Sequence, residues 1–340
     1  MFGRFPSRVP RPSSTALPLG RIGPALLAAA LLLAGCGAGP VSKPAGTADV
    51  AYAGALQVVN DQFLGPAFEH ATGNHYRGRG GGAFGVAHLI ATGEIHPNVF
   101  ESMGTGPIKL LEPKFTRWSV ALAANPLVIA YSPRSRWAPE FQAIAHGKKP
   151  LADLFRIMEQ PGFHLGRTNP QTDPQGQAFI FMIHLARGYL HLPPGTATRI
   201  LGGVNNPRQI FAEESILSHL QSGQLDASSA FLPEAIQRHL PYIRLPGRID
   251  MGDPAYASLY RTQSLRLKSG TLVHGSPMVV YVTQITGTPD QTTGLAYLRF
   301  LFSPTGKHLL RQEGYLLVPP TIQGDKTAVP PSLRHLLAKG

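Results

Sequence analysis

Residues 166–179 read GRTNPQTDPQGQAF and run into FIFMIHLARGYL at 179–190. Asn169-Pro170 and Asp173-Pro174 each hold the residue before proline out of the helical region, and Gln175-Gly176 permits close backbone approach. The apolar run behind them predicts a helix. Asp173 thus stands at or just before a helix N-terminus, where free N–H groups point outward. Two roles are open to it: capping the helix, the commonest use of Asp there, or joining those N–H groups in a small-ligand site.

Upstream, residues 1–35 carry Arg4, Arg8, Arg11 and Arg21, no acidic residue, and the apolar segment ALLAAALLLA at 25–34, which ends in Gly35-Cys36. A basic start, an apolar stretch too short to span a bilayer comfortably and a small-residue cleavage site read as a signal peptide. LAGC at 33–36 resembles the lipobox of bacterial lipoproteins, in which the cysteine is acylated and becomes the first mature residue. Cys36 is the only cysteine, so no intramolecular disulfide forms. The Gly/Pro-rich segment 36–46 reads as a tether from lipid to folded domain. These features predict an exported protein, lipid-anchored on the periplasmic or extracellular side.

Removing 1–35 leaves 305 residues with 27 basic and 19 acidic side chains, a net charge of +8. That length supports one large domain or two lobes with separate cores, and the charge favours anionic partners. The basic residues are scattered singly, with no run denser than Lys148-Lys149, which argues against nucleic acid. An enzymatic role finds no support. No Gly-Xaa-Ser-Xaa-Gly elbow is present, and His70, His75, His88, His96 and His164 lack metalloprotease spacing. No cofactor is expected.

In order along the mature chain, VAYAGAL at 50–56 reads as a buried strand that feeds a helix through Ala53-Gly54-Ala55. That turn puts backbone N–H groups at the strand's C-terminal end, the usual ligand position in open α/β sheets. YRGRGGGAFG at 76–85 permits a tight turn near an anion but is not a Walker loop, since no Gly-Lys-Ser/Thr follows. Strands are expected at 97–101, on both sides of Asn125-Pro126 within 118–131, and as one long extended run over 271–285. A helix from Glu214 to about Gly223 carries Glu213 and Glu214 at its start, where two acids also suit the helix dipole. Alternation of short strands and helices predicts an α/β fold.

AYAGAL, PLVIAYSPRS, FHLGRTNPQTDPQGQAF, SGQLD, DPAYASLYRTQSL, HGSPMVVYV, YLRFLFSPTGKHLL and GYLLVPP occur here in a collinear order that covers about 50–320. In that order the chain resembles the extracellular solute-binding proteins of ABC importers, in particular the archaeal-type molybdate/tungstate-binding proteins. The resemblance implies a two-lobed, periplasmic-binding-protein-like fold of type II. Lobe 1 would be 47–131 plus 274–330 and lobe 2 would be 132–273, with a two-strand hinge and the ligand in the cleft. It further implies a monomer that delivers a small oxyanion to a membrane permease.

In that family two lobe-1 serines, backbone N–H groups and two carboxylates hold the oxyanion. Carried over by position, the serines fall on Ala55 and Ala83, so both hydroxyls are absent, whereas the carboxylates fall on Asp173 and Glu213. A cleft tyrosine falls on Phe231, and an acid of the lobe-1 strand on Asn98. Two carboxylates suit a Lewis-acidic metal centre better than sulfate or phosphate, which they would repel. Sulfate, phosphate or a non-transport lipoprotein remain the alternatives.

Overall fold

The apolar run after the tether forms strand β1 (Thr47–Ala53), whose last four residues are buried on both faces, as a strand inside a parallel α/β sheet must be. It pairs in parallel with β2 (His75–Gly81) and β3 (Val99–Met103). β4 (Trp118–Ala124) lies in the same sheet and β5 (Leu127–Tyr131) in another. A second sheet takes β6 (Leu165–Thr168), β7 (Ile210–Phe211), β8 (Ala227–Phe231) and β9 (Tyr242–Arg244). β10 (Ser264–Arg266) and β11 (Leu272–His274) form a separate hairpin, and β12 (Val279–Gln284), β13 (Leu316–Leu317) and β14 (Ile322–Gly324) return to the first sheet. The sheet orders are β13-β4-β12-β3-β1-β2, with β14 also on β4, and β7-β6-β8-β5-β9. This computed structural model describes residues 45–338, which lie in one compact unit. The expected signal segment and Cys36 lie outside the described residues. Among those described, no helix is long and apolar enough to cross a membrane.

Two α/β lobes follow from the two sheets, and the chain passes between them twice. The first crossing is Asn125-Pro126, because proline ends the β4 ladder and the Leu127 N–H bonds instead to the Asp250 carbonyl. β5 then pairs on both sides within the second sheet, with β8 and β9. Residues 127–131, expected in lobe 1, are therefore part of lobe 2. The second crossing interrupts the run expected to be continuous over 271–285: Gly275-Ser276-Pro277 separates β11 from β12. Gly275 has no room for a side chain, since a Cβ there would lie 2.2 Å from the Tyr260 carbonyl oxygen.

Smaller differences have equally local causes. β2, not expected from its polar sequence, is an exposed edge strand held by β1 pairing rather than by burial. The tether expected to reach 46 ends earlier: Gly46 donates to Asn74 Oδ1 at 3.1 Å and its carbonyl accepts from the His75 N–H. Asn98 is a strand clamp, accepting from the Asp49 N–H at 3.0 Å and donating to the Thr47 carbonyl at 2.8 Å. In lobe 1 Glu101 of β3 is buried and accepts from Asn60 Nδ2 at 2.8 Å, while Tyr297 donates to Asn60 Oδ1 at 2.5 Å. That network ties the helix after β1 to the sheet and to helix Gln291–Leu301.

Lobe 2 is built around helix Pro174–Tyr189, twelve of whose sixteen residues are buried. Asp173 is its N-cap and accepts from the Gln175 N–H at 2.8 Å, and Pro174 fills the first helical position, where no N–H is needed. Gly176 lets this first turn pack onto β6: a Cβ there would sit 2.4 Å from the Thr168 carbonyl oxygen and 2.8 Å from the Pro170 nitrogen. The Gly176→Ala variant should therefore lose about 1–3 kcal/mol from overpacking, more than alanine's helix propensity returns. Thermal denaturation tests this, and an unchanged melting temperature would show that the 168–170 segment yields.

Candidate functional site

Four loops meet between the lobes. From lobe 1 come the turn Gly54–Leu56 after β1 and the start of helix Ala83–Thr92 after β2. From lobe 2 come the Asp173 cap and the loop carrying Glu213 and Glu214 ahead of helix Ile216–Gln221. That helix begins later than expected, so Glu213 and Glu214 lie in the loop and not on its first turn. The lobes touch here: the Phe84 N–H donates to the Thr172 carbonyl at 3.1 Å. Glycine permits the approach. A Cβ on Gly54 would lie 2.8 Å from Glu213 Oε2 and 3.0 Å from Glu214 Oε1, and one on Gly82 would lie 3.0 Å from the Thr172 carbonyl oxygen. A cavity of about 330 Å³ opens beside these loops, lined by Gly82, Thr172, Asp173, Glu213 and Glu214 among others.

The structure thus brings Asp173 and Glu213 together and sets Ala55 and Ala83 at the same lobe-1 rim. Asp173 is 3% exposed and Glu213 6% exposed. Ala55 and Ala83 are buried, and the Ala55 carbonyl accepts from the Tyr315 hydroxyl at 3.3 Å. Phe231 departs from its expected role: its ring belongs to the apolar core, and what it offers is its N–H, donated to Glu234 Oε2 at 2.6 Å.

Glu234 was not anticipated. It is the third residue of the short helix Leu232–Gln237, 6% exposed, and it also accepts from Gln175 Nε2 at 2.9 Å. Gln175 Oε1 in turn accepts from Ser229 Oγ at 3.0 Å. The one sequence signal for Glu234 is its spacing from Phe231, that of a helix-start carboxylate reaching back to the cap N–H. Nothing in that spacing points towards a cleft.

Asp173, Glu213 and Glu234 act on one another electrostatically. Burial raises the Asp173 carboxyl to about 7, against the Gln175 N–H that lowers it, and neighbouring Glu214 adds to the rise. Burial, then the charges of Asp173, Glu234 and Glu214, hold Glu213 well above the usual carboxylate range, with the Ala55 N–H opposing. Glu234 is raised to about 7, again first by burial. Among the described residues no Lys or Arg forms an ion pair with any of the four acids. Asp173 Oδ2 and both Glu213 oxygens are buried without a hydrogen-bond partner. Buried polar atoms are almost always paired, so three carboxylate oxygens without a close partner on one cavity make it the candidate ligand site.

Among the described residues no group of three or more His, Cys, Asp or Glu is arranged to hold a metal ion. Asp173 and Glu213 offer two donors. A metal centre bound between them would bring its remaining oxygen ligands with it.

Residues 48–316 match the family profile described as bacterial extracellular solute-binding protein. Among curated proteins, the chain is 28% identical over 246 residues to the putative ABC transporter molybdenum-binding protein of Haloferax volcanii, covering 72% of this chain and 75% of that protein. It is 27% identical over 249 residues to the molybdate/tungstate-binding protein WtpA of Pyrococcus abyssi, covering 67% and 70%. Among solved structures, the periplasmic molybdate-binding protein of Azotobacter vinelandii shares the fold, with a TM-score of 0.54 at 18% identity over 81% of this chain and 99% of that one.

The raised carboxyls make stability depend on pH with a definite sign. A carboxyl with a higher pKa folded than unfolded holds its proton longer in the folded state. The contribution of these carboxyls to stability is therefore fullest below the unfolded values near 4 and is lost as the pH rises through about 7. Glu213→Gln should accordingly raise the melting temperature of ligand-free protein relative to wild type at about pH 8 and leave it nearly unchanged at about pH 4.5. Thermal melts of both proteins at the two pH values measure this, and an equal difference at both would assign the effect to packing.

Proposed function

The chain belongs to the bacterial extracellular solute-binding protein family, and from that premise we propose that it captures a molybdate- or tungstate-like oxyanion in the interlobe cleft for delivery to an ABC permease. The observation that carries the reading is the pair of buried carboxylates, Asp173 with one oxygen free of its cap and Glu213, on one cavity at the lobe-1 rim. The names of the Haloferax and Pyrococcus relatives support the same solute class.

The chemistry favours a metal-centred oxyanion over sulfate or phosphate. A tetrahedral dianion of phosphorus or sulfur has no open coordination position, and each carboxylate near it costs several kcal/mol at effective dielectric constants of about 20. A molybdenum or tungsten centre expands its coordination and accepts carboxylate oxygens as ligands. In this reading Asp173 and Glu213 complete the shell at the lobe-1 rim formed by the turn Gly54–Leu56 and the start of helix Ala83–Thr92. Alanine at 55 and 83 removes two hydroxyl donors, each worth about 1.5–3 kcal/mol to a charged acceptor. Affinity then rests more on the carboxylates than on neutral donors. The contact between Phe84 and Thr172 supports a closed state in which both lobes grip the solute. An acylated Cys36 would keep the protein at the membrane as a monomer beside its permease.

Protein stripped of bound anions should melt several degrees higher with molybdate or tungstate, since ligand at a thousand times Kd stabilises by about 4 kcal/mol. Sulfate and phosphate should give no shift. Asp173→Ala and Glu213→Ala should each abolish the molybdate response while remaining folded by circular dichroism. A shift with sulfate and none with molybdate would move the protein to another solute.

A further inference from the structure

The cleft holds one more buried carboxylate than a two-ligand site needs. Glu234 does not line the cavity, yet its charge acts on both Asp173 and Glu213. It is held in place from two elements: the Phe231 N–H at the end of β8 and the Gln175 side chain on helix Pro174–Tyr189. Gln175 is itself oriented by Ser229, and its own N–H caps Asp173. One residue therefore connects the front carboxylate to the rear one. Arg238 opposes the rise at Glu234 but forms no ion pair with it, and among the described residues none of the set is ion-paired. A buried acid is ordinarily replaced or paired. Here it is built in by two donors, the Phe231 N–H and Gln175 Nε2, while Asp173 Oδ2 and both Glu213 oxygens are buried without a close partner.

We propose that Glu234 is a specificity determinant, a fixed negative charge that rejects oxyanions unable to bond to Asp173 and Glu213 while strengthening those two carboxylates as ligands to a metal centre. This rests on the reading of the cleft as a metal-oxyanion site. Two effects act together. Like charge repels any dianion in the cavity, whatever its central atom. The same charge makes Asp173 and Glu213 better electron donors, as groups behind metal ligands commonly do, and only a centre that accepts their oxygens recovers that gain. Sulfate meets the repulsion alone, whereas molybdate and tungstate meet both. Glu234 is thus a positioning and selecting residue and makes no contact with the solute.

The test is a titration of stripped, full-chain protein with sodium sulfate, molybdate and tungstate at about pH 8, comparing wild type with Glu234→Gln and Glu234→Val. Glutamine keeps an acceptor for the Phe231 N–H, and valine removes charge and hydrogen bonds together. Both variants should bind sulfate about tenfold or more tightly than wild type, with molybdate and tungstate affinity unchanged or weakened. Opposite directions for the two anion classes are what a merely structural role would not produce. Equal gains for all three anions, or no gain for sulfate in either variant, would overturn the filter. Wild-type protein that binds neither molybdate nor tungstate would overturn the site reading beneath it, a failure distinct from wild type that binds both while the variants gain nothing.

Discussion

Several carboxylates share one closed cleft without a cation to offset them. Asp173, Glu213 and Glu234 are each almost wholly buried, and burial first, then neighbouring carboxylate charge, pushes all three towards keeping a proton. Such an arrangement opposes folding, because burial penalises the charged form and the charges penalise each other. It persists because the surrounding structure fixes each acid independently. A helix cap holds Asp173, a loop facing Gly54 holds Glu213, and a backward-reaching helix start holds Glu234. Proteins commonly concentrate such cost where a ligand relieves it.

The rest of the architecture serves that meeting. Lobe 1 contributes backbone and small residues, Gly54, Ala55, Gly82 and Ala83, which let the other lobe come close. Lobe 2 contributes the charge. The division depends on both crossings of the chain between sheets, at Asn125-Pro126 and at Gly275-Ser276-Pro277, which are the only covalent links between β4 and β5 and between β11 and β12. Short links between two sheets allow hinge motion about them. The hydrogen bond from Phe84 to Thr172 is a contact such motion would break, because its donor and acceptor lie on opposite sides of the cleft.

Departure from the family's serine positions changes the balance of the site rather than its location. With methyl groups at Ala55 and Ala83, lobe 1 offers N–H groups but no hydroxyl at those positions, and the side-chain polarity of the cavity comes from lobe 2. In the proposed reading, a site weighted in this way selects on the acceptor chemistry of its solute more than on the count of neutral hydrogen bonds.

The amino-acid sequence by itself determined the elements that local rules govern. Two prolines and an Asp dictated the start of helix Pro174–Tyr189, the continuous apolarity of β1 declared a strand buried on both faces, and the collinear motifs implied two α/β lobes. It also brought forward Asp173 and Glu213 as candidates, though each had an equally good local use as a cap or a dipole partner. Only the tertiary structure showed that Asp173 caps its helix and is also buried on the cavity with Glu213, because burial and missing partners are properties of the neighbours and not of the residue. It moved β5 to the second lobe, since strand membership depends on which ladder has a free edge. It exchanged the Phe231 ring for Glu234, which reads in sequence as an ordinary helix-start acid. A carboxylate acquires its function here from charges contributed by three segments distant in the chain, and no local pattern encodes that sum.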